Sequence, residues 1–172
     1  KQLFEIWQTD LGNETEIKKV GLELTNYKQK IWSFMHLAAT SVEDNFDSLQ
    51  MQKTFLINVF SAWELAKSCM KKMSNEDGGR ILFVGSVGHK YGGKEKRPGY
   101  CSSKYLLEYF PKSFKECASK NILINTLQLG VMTGGTHDSI GTSKSEFNKR
   151  VQLIPTKRDI SKKEAVRSIS FL

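Results

Sequence analysis

The sequence predicts an α/β protein, a single domain built on a doubly wound parallel sheet with helices on both faces in three layers. Three observations predict it. Short apolar runs alternate along the chain with amphipathic stretches, which is the signature of βαβ units. The run Ile81-Leu82-Phe83-Val84 is continuously apolar, as a parallel strand buried on both faces requires. The stretch from Gln50 to Met73 repeats apolar residues at three- and four-residue intervals, as a helix against that sheet requires.

Taken in order, Leu3-Phe4-Glu5-Ile6-Trp7 reads as a strand ending near Asp10. Asn13 to Leu24 reads as a helix, with Asn13 as N-cap and Glu16 at capping-box spacing. Ile31 to Leu37 suits a buried strand. Phe55, Val59, Ala62, Leu65, Ala66, Cys69 and Met73 mark the apolar stripe of the long helix. Asp77-Gly78-Gly79 is a turn into the strand beginning at Ile81. A helix from about Tyr100 to Ser119 is interrupted by Pro111, which lacks an amide proton and clashes with the preceding turn. Ile122-Leu123-Ile124 opens the next strand. Residues 133–142 are rich in Gly, Ser and Thr, and 133–160 is the expected substrate lid. Ser161 caps a last helix, with Glu164 three residues on. Trp7, Trp32 and Trp63 are expected in the core.

Composition bounds the function. The 172 residues carry 26 Lys and Arg against 18 Asp and Glu, a formal charge of +8. A basic surface attracts anions, a phosphorylated cofactor among them. The charges are scattered and no zinc-finger, zipper or aromatic RNA-binding motif accompanies them, so nucleic acid is an unlikely partner. No apolar run reaches the ~18 residues that a membrane span needs, and none reads as a signal peptide. Cys69, Cys101 and Cys117 are odd in number and widely spaced, which suits reduced thiols in the cytoplasm and no metal site. His36, His89 and His137 have no metal-ligand spacing either. His36 suits a satisfied core histidine. His89 suits a solvated loop, and it is also a candidate substrate contact.

Parallel sheets bind ligands beyond the carboxyl ends of their strands. Ser86 directly follows the Ile81–Val84 strand, and Tyr100 lies 14 positions later. Tyr100 and Lys104 are four apart, so on a helix they share a face. A phenol with a pKa of about 10 is a poor acid-base group at neutral pH. A neighbouring ammonium stabilises the phenolate and is expected to lower that value. The hydroxyl of Ser86 is placed to hydrogen-bond a substrate oxygen beside the tyrosine.

These residues resemble the short-chain dehydrogenase/reductase family, particularly its 3-oxoacyl-ACP-reductase-like branch, and the likeness spans nearly the whole chain. Asn58, Ser86, Tyr100 and Lys104 match the family tetrad. The resemblance implies a Rossmann-like fold and an NAD(P)-dependent oxidoreductase moving a hydride between nicotinamide and a carbonyl or alcohol carbon. Tyr100 would be the general acid-base, Ser86 the substrate-orienting group, Lys104 the ribose-holding group and Asn58 the support of a relay water. Cofactor contacts are implied for Asp10, Leu37, Ala38, Ala39, Gly130, Val131 and Thr133, beside Tyr100 and Lys104. Substrate contacts are implied for Ser86, Val87, His89 and Tyr100. Family members often form homodimers or homotetramers through the helices that hold Asn58 and Tyr100. The net positive charge tilts the choice of cofactor toward NADP over NAD.

The departures are specific. His36-Leu37-Ala38-Ala39 stands where the family has Asn-Asn-Ala-Gly, and Leu129 replaces a proline. No glycine-rich phosphate turn occurs before Asp10, so by the family's order the chain begins at the third strand, and the last strand is also missing. The sheet is then expected to have a gap and open edges, as part of a longer chain. The alternative reading is a non-catalytic sensor or binding protein on this scaffold that has lost cofactor binding. A third reading is a basic module that binds an acidic carrier protein or nucleic acid.

Overall fold

The computed structural model describes residues 5–73, 77–91, 93, 95–134 and 140–172. Three parallel strands form one sheet in the order β1-β2-β3: Ser33–His36, Gly79–Ser86 and Ile122–Leu129. The register pairs His36 with Phe83, and Ser86 with Leu129. The segments leaving the three strands, at Leu37, Val87 and Gly130, therefore start from the carboxyl edge of the sheet, where ligands bind in such folds.

Helix α1 (Glu14–Asn26) begins at the expected cap: the Asn13 side chain accepts from the amides of Thr15 and Glu16. The expected reciprocal bond from Glu16 goes elsewhere, because its carboxylate accepts from the Asp10 amide at 2.7 Å. The predicted long helix is one rod with a fault in it. It runs as α2 (Ser48–Phe55), a π-turn (Leu56–Phe60) and α3 (Ser61–Met70). The π-turn buries Asn58 and Val59 together, and such bulges mark functional positions in many helices.

Pro111 breaks the next helix as expected. It separates α4 (Pro98–Leu106) from α5 (Lys112–Glu116), which continues as a 3-10 turn to Lys120. Two further helices complete the chain, α6 (Lys144–Leu153) and α7 (Lys162–Phe171). Ser161 and Glu164 make the predicted capping box on α7. Residues 135–139 of the expected lid, with His137, lie outside the described residues.

The core is the face of β2 carrying Ile81 and Phe83, covered by Ala62, Ala66 and Cys69 of α3 and by Leu107 and Phe114 beside α4 and α5. Burying these side chains contributes roughly 1.5–3 kcal/mol for each large one.

Two expectations fail. Residues 5–10 form no strand, and Leu3 and Phe4 lie outside the described residues. A strand needs a backbone partner, and among the described residues none pairs with this segment; Trp7 packs edge-on against Tyr27 instead, with centroids 5.6 Å apart. The tryptophans are not all core: Trp7 and Trp32 are exposed, and Trp63 alone packs against the core. Trp32 flanks the outer edge of β1, which pairs with no strand among the described residues, and Met35 and Leu37 are exposed along it. The open edge expected from the sequence is present.

Candidate active site

The chemistry starts from α4. Pro98 opens the helix, a position where its missing amide proton loses nothing. Tyr100 follows in the first turn and Lys104 one turn later, on the same face. The Lys104 amine lies 5.9 Å from the centre of the Tyr100 ring. The Tyr100 hydroxyl faces Ser86, the last residue of β2, closely enough for that side chain to act on the phenol's pKa, while the Ser86 hydroxyl oxygen accepts from the Gly88 amide at 3.2 Å. Two hydroxyls from different elements thus meet at the carboxyl edge of the sheet, with an amine one helical turn behind.

The expected lowering of the tyrosine pKa is not what the environment produces. Burial raises the Tyr100 pKa, the Ser86 side chain opposes that, and burial wins. Lys104 stands over the face of the ring and donates to the Val84 carbonyl at 2.7 Å. Its side chain is 4% exposed, and burial lowers its own pKa to about 8. In the resting site this charge does not offset the burial of the phenol.

Asn58 is fully buried and ties three elements together. Its carbonyl accepts from the Thr40 amide at 2.8 Å, and its amide donates to the Thr40 carbonyl at 3.0 Å and to the Ser103 hydroxyl at 2.9 Å. Ser103 donates in turn to the Tyr100 carbonyl at 2.8 Å. A chain of hydrogen bonds therefore runs from the segment after β1, through the π-turn, to the backbone of the tyrosine. Ser103 was not foreseen, although its place three residues after Tyr100 was the available signal.

The other expected positions divide. Leu37, Ala38 and Ala39 are exposed beyond β1. Gly130 approaches Ile160 and Val87: a Cβ there would stand 3.1 Å from Ile160 Cδ1 and 3.9 Å from Val87 Cγ2. Val131 accepts from the Ile160 amide at 2.8 Å. Thr133 gives both its amide and its hydroxyl to the Asp159 carboxylate. Asp10 is exposed and accepts from the Gly12 amide at 2.8 Å.

His89 is not a solvated loop residue. Its imidazole contacts the Glu108 carboxylate, its side chain is only 6% exposed, and the Tyr105 ring stands edge-on at 5.3 Å. His36 is buried as expected but only half satisfied. Its Nε2 lies 3.1 Å from the Ser61 hydroxyl, while Nδ1 has no partner. Burial, with help from the Lys104 charge, lowers its pKa to about 4. Among the described residues no cluster of metal-binding side chains occurs, and no helix is long and apolar enough to cross a membrane.

Residues 1–145 match the family model described as short chain dehydrogenase. The chain belongs to that family. This short chain dehydrogenase is 30% identical over 129 residues to the 3-oxoacyl-(acyl-carrier-protein) reductase FabG of Buchnera aphidicola subsp. Acyrthosiphon pisum, covering 74% of the chain and 52% of that relative. It is 30% identical over 169 residues to carbonyl reductase family member 4 of Xenopus laevis, covering 95% of the chain and 68% of the relative. The chain thus spans about half the length of the Buchnera reductase. Among solved structures it resembles a gluconate 5-dehydrogenase from Burkholderia cenocepacia in complex with NADP and tartrate. That match has a TM-score of 0.81 at 16% identity and covers 95% of this chain and 65% of the other. At that identity the likeness shows the fold, a Rossmann-like α/β arrangement.

The fit of a nicotinamide cofactor to this short chain dehydrogenase can be tested on Lys104. A buried ammonium has three donors, and the one hydrogen-bond partner of Lys104 among the described residues is Val84. Two donors are left at the carboxyl edge of the sheet, which fits a group rich in hydroxyls such as a ribose. The exposed Leu37–Ala39 segment and the partly buried Gly130 are the other surfaces at that edge.

Proposed function

We propose that the chain carries the proton-transfer machinery of an NAD(P)-dependent oxidoreductase acting on a carbonyl or alcohol carbon. The observation that carries this reading is the placement of Tyr100 against Ser86 at the end of β2, with the Lys104 amine 5.9 Å from the tyrosine ring. A carbonyl oxygen seated between the two hydroxyls accepts a hydrogen bond from each. Tyr100, held protonated by burial, gives its proton to the oxygen as negative charge develops there. Ser86 orients the oxygen and Lys104 stabilises the phenolate left behind. The cofactor supplies the hydride. Asn58 keeps the tyrosine's backbone in place through Ser103.

Lys104, Tyr100 and the edge formed by Leu37, Ala38, Ala39, Gly130 and Val131 would hold the cofactor. Thr133 would join them if released from Asp159, and Asp10 would lie toward the adenine. NADP is preferred over NAD on the net charge of +8; the Burkholderia structure holds NADP. Val87 would border the substrate, a small carbonyl or alcohol compound, and His89 would shape that border from its place against Glu108. A homodimer or homotetramer is the expected assembly, supported by exposed Leu49, Phe60, Tyr105 and Tyr109 on and beside α2 to α4. The cytoplasm is the expected compartment, supported by three unpaired cysteines.

The test is nicotinamide absorbance with a panel of ketones, comparing the chain with its Tyr100→Phe variant. Turnover that the variant abolishes supports the reading; turnover that the variant leaves unchanged rejects the assigned mechanism.

A further inference from the structure

Helix α4 has an unusual start. Its N-cap position is Arg97, with φ −135° and ψ 47° and no capping hydrogen bond from its own side chain. A helix leaves its first amides without internal partners. Pro98 has none to satisfy. The next, at Gly99, is taken from outside the helix: it donates to Asp44 Oδ2 at 2.9 Å, from a residue 55 positions earlier.

The two segments are stitched in both directions. The amides of Asp44 and Asn45 donate to the Lys96 carbonyl at 3.0 and 3.3 Å. The Arg97 guanidinium donates to the Ser41 carbonyl and to the Glu43 carboxylate. Asp44 and Arg97 are 2% and 7% exposed, so both charged side chains are buried at this junction, while Glu43, the ion-pair partner of Arg97, is 49% exposed. The approach is close enough to dictate a residue: a Cβ on Gly99 would stand 2.6 Å from Asp44 Oδ2. The other carboxylate oxygen accepts from the Phe46 amide at 3.1 Å. Asn45 and Phe46 both have left-handed backbones, with φ of 45° and 65°. Such a pair in non-glycine residues persists where the surroundings over-determine it. The same loop is held at its other end by Asn58, through Thr40.

We propose that Asp44 is a positioning residue that caps α4 from outside the helix and sets the height at which the Tyr100 hydroxyl meets Ser86. The residue after the capped amide is Tyr100 itself, so loss of the cap frees the turn that carries the phenol. A carboxylate at a helix N-terminus also opposes the partial positive charge there. Arg97 keeps the loop seated so that the carboxylate cannot swing away. The proposal rests on the oxidoreductase reading for its catalytic consequence, but the capping itself does not.

Two measurements on the full chain separate those parts. Hydrogen exchange reads the cap directly. Asp44→Ala is expected to speed exchange in the first turn of α4 about tenfold, the scale of a lost N-cap, and to leave the β2 amides unchanged. Asp44→Asn, which keeps an acceptor oxygen, is expected to restore most of the protection. Gly99→Ala, which pushes the carboxylate away with a methyl group, is expected to reproduce the Asp44→Ala pattern. Turnover of NADPH with a ketone then reads the consequence: kcat falls about tenfold in Asp44→Ala while KM for NADPH stays within about twofold. Unchanged exchange at α4, or exchange raised equally throughout the sheet, overturns the proposal. Local exchange as expected with no turnover in the unmodified chain leaves the cap standing and refutes the oxidoreductase reading instead. Local exchange as expected with kcat unaltered overturns the positioning role.

Discussion

The amine of Lys104 donates to the carbonyl of Val84 at 2.7 Å, which fastens α4 to the strand that ends in Ser86. One side chain therefore sets the spacing between α4 and β2 and also brings a cation 5.9 Å from the Tyr100 ring centre. The same bond places an ammonium in a desolvated site, and its pKa falls to about 8. Structure and chemistry make opposing demands on this residue.

Lys104→Met follows from that opposition. Replacing a desolvated charge by an apolar side chain of similar length is expected to leave thermal stability equal or higher, by up to about 2 kcal/mol. Turnover is expected to fall by at least about a hundredfold, because the phenolate loses its counter-charge. Thermal denaturation and nicotinamide absorbance check the two halves separately. The unmodified chain should lose ketone reduction as pH rises through about 8, where Lys104 becomes neutral.

His36 makes stability depend on acidity. Its folded pKa of about 4 lies below its ordinary value of 6.5, so between those values the unfolded chain binds more protons than the folded one. Stability therefore rises with pH through that window and is lost on acidification toward pH 4. The full effect is up to about 3 kcal/mol. His36→Asn is expected to flatten this dependence. Urea titrations of both proteins across the window check it, and an equal acid loss in the variant would assign the effect to other groups.

Asn58→Ala removes three hydrogen bonds at once: it strips the Thr40 peptide and the Ser103 hydroxyl of their partner. Buried groups left unsatisfied are expensive, so a loss of about 2–4 kcal/mol is expected in chemical denaturation. The loss should be largely retained in Asn58→Leu, which fills the volume but offers no polar atoms. Full rescue by leucine would mean that packing alone matters at the π-turn.

The open edge of β1 predicts self-association. Trp32, Met35 and Leu37 are exposed along a strand with no partner on that side among the described residues, and unpaired apolar edges template further pairing. Met35→Lys is expected to reduce light scattering of concentrated samples of this chain, with little change in its circular dichroism.

What the sequence made legible was local. The Tyr100–Lys104 face follows from helical period alone. The β2 strand was legible because a doubly covered parallel strand must be apolar throughout, and the Pro111 break because proline has no amide proton to give. What escaped was set by contacts distant in sequence. Asp44 reaches Gly99 across 55 positions, and nothing in either local stretch signals the pair. The π-turn at Asn58 inserts a fault that apolar spacing does not register. Trp7 and Trp32 looked like core residues because apolar character was visible and the missing strand neighbours were not. Lys104 was expected to acidify the phenol because proximity was legible and desolvation was not.

The central claim is that Ser86 and Tyr100 act on one oxygen as a unit, and a double-variant cycle tests it most directly. Turnover of NADPH with a ketone would be measured for the unmodified chain, Ser86→Ala, Tyr100→Phe and the double variant. Groups that act together are strongly non-additive, so the double variant is predicted to be no more than about threefold slower than Tyr100→Phe alone. Effects that simply multiply would contradict the account, because the two hydroxyls would then serve separate steps.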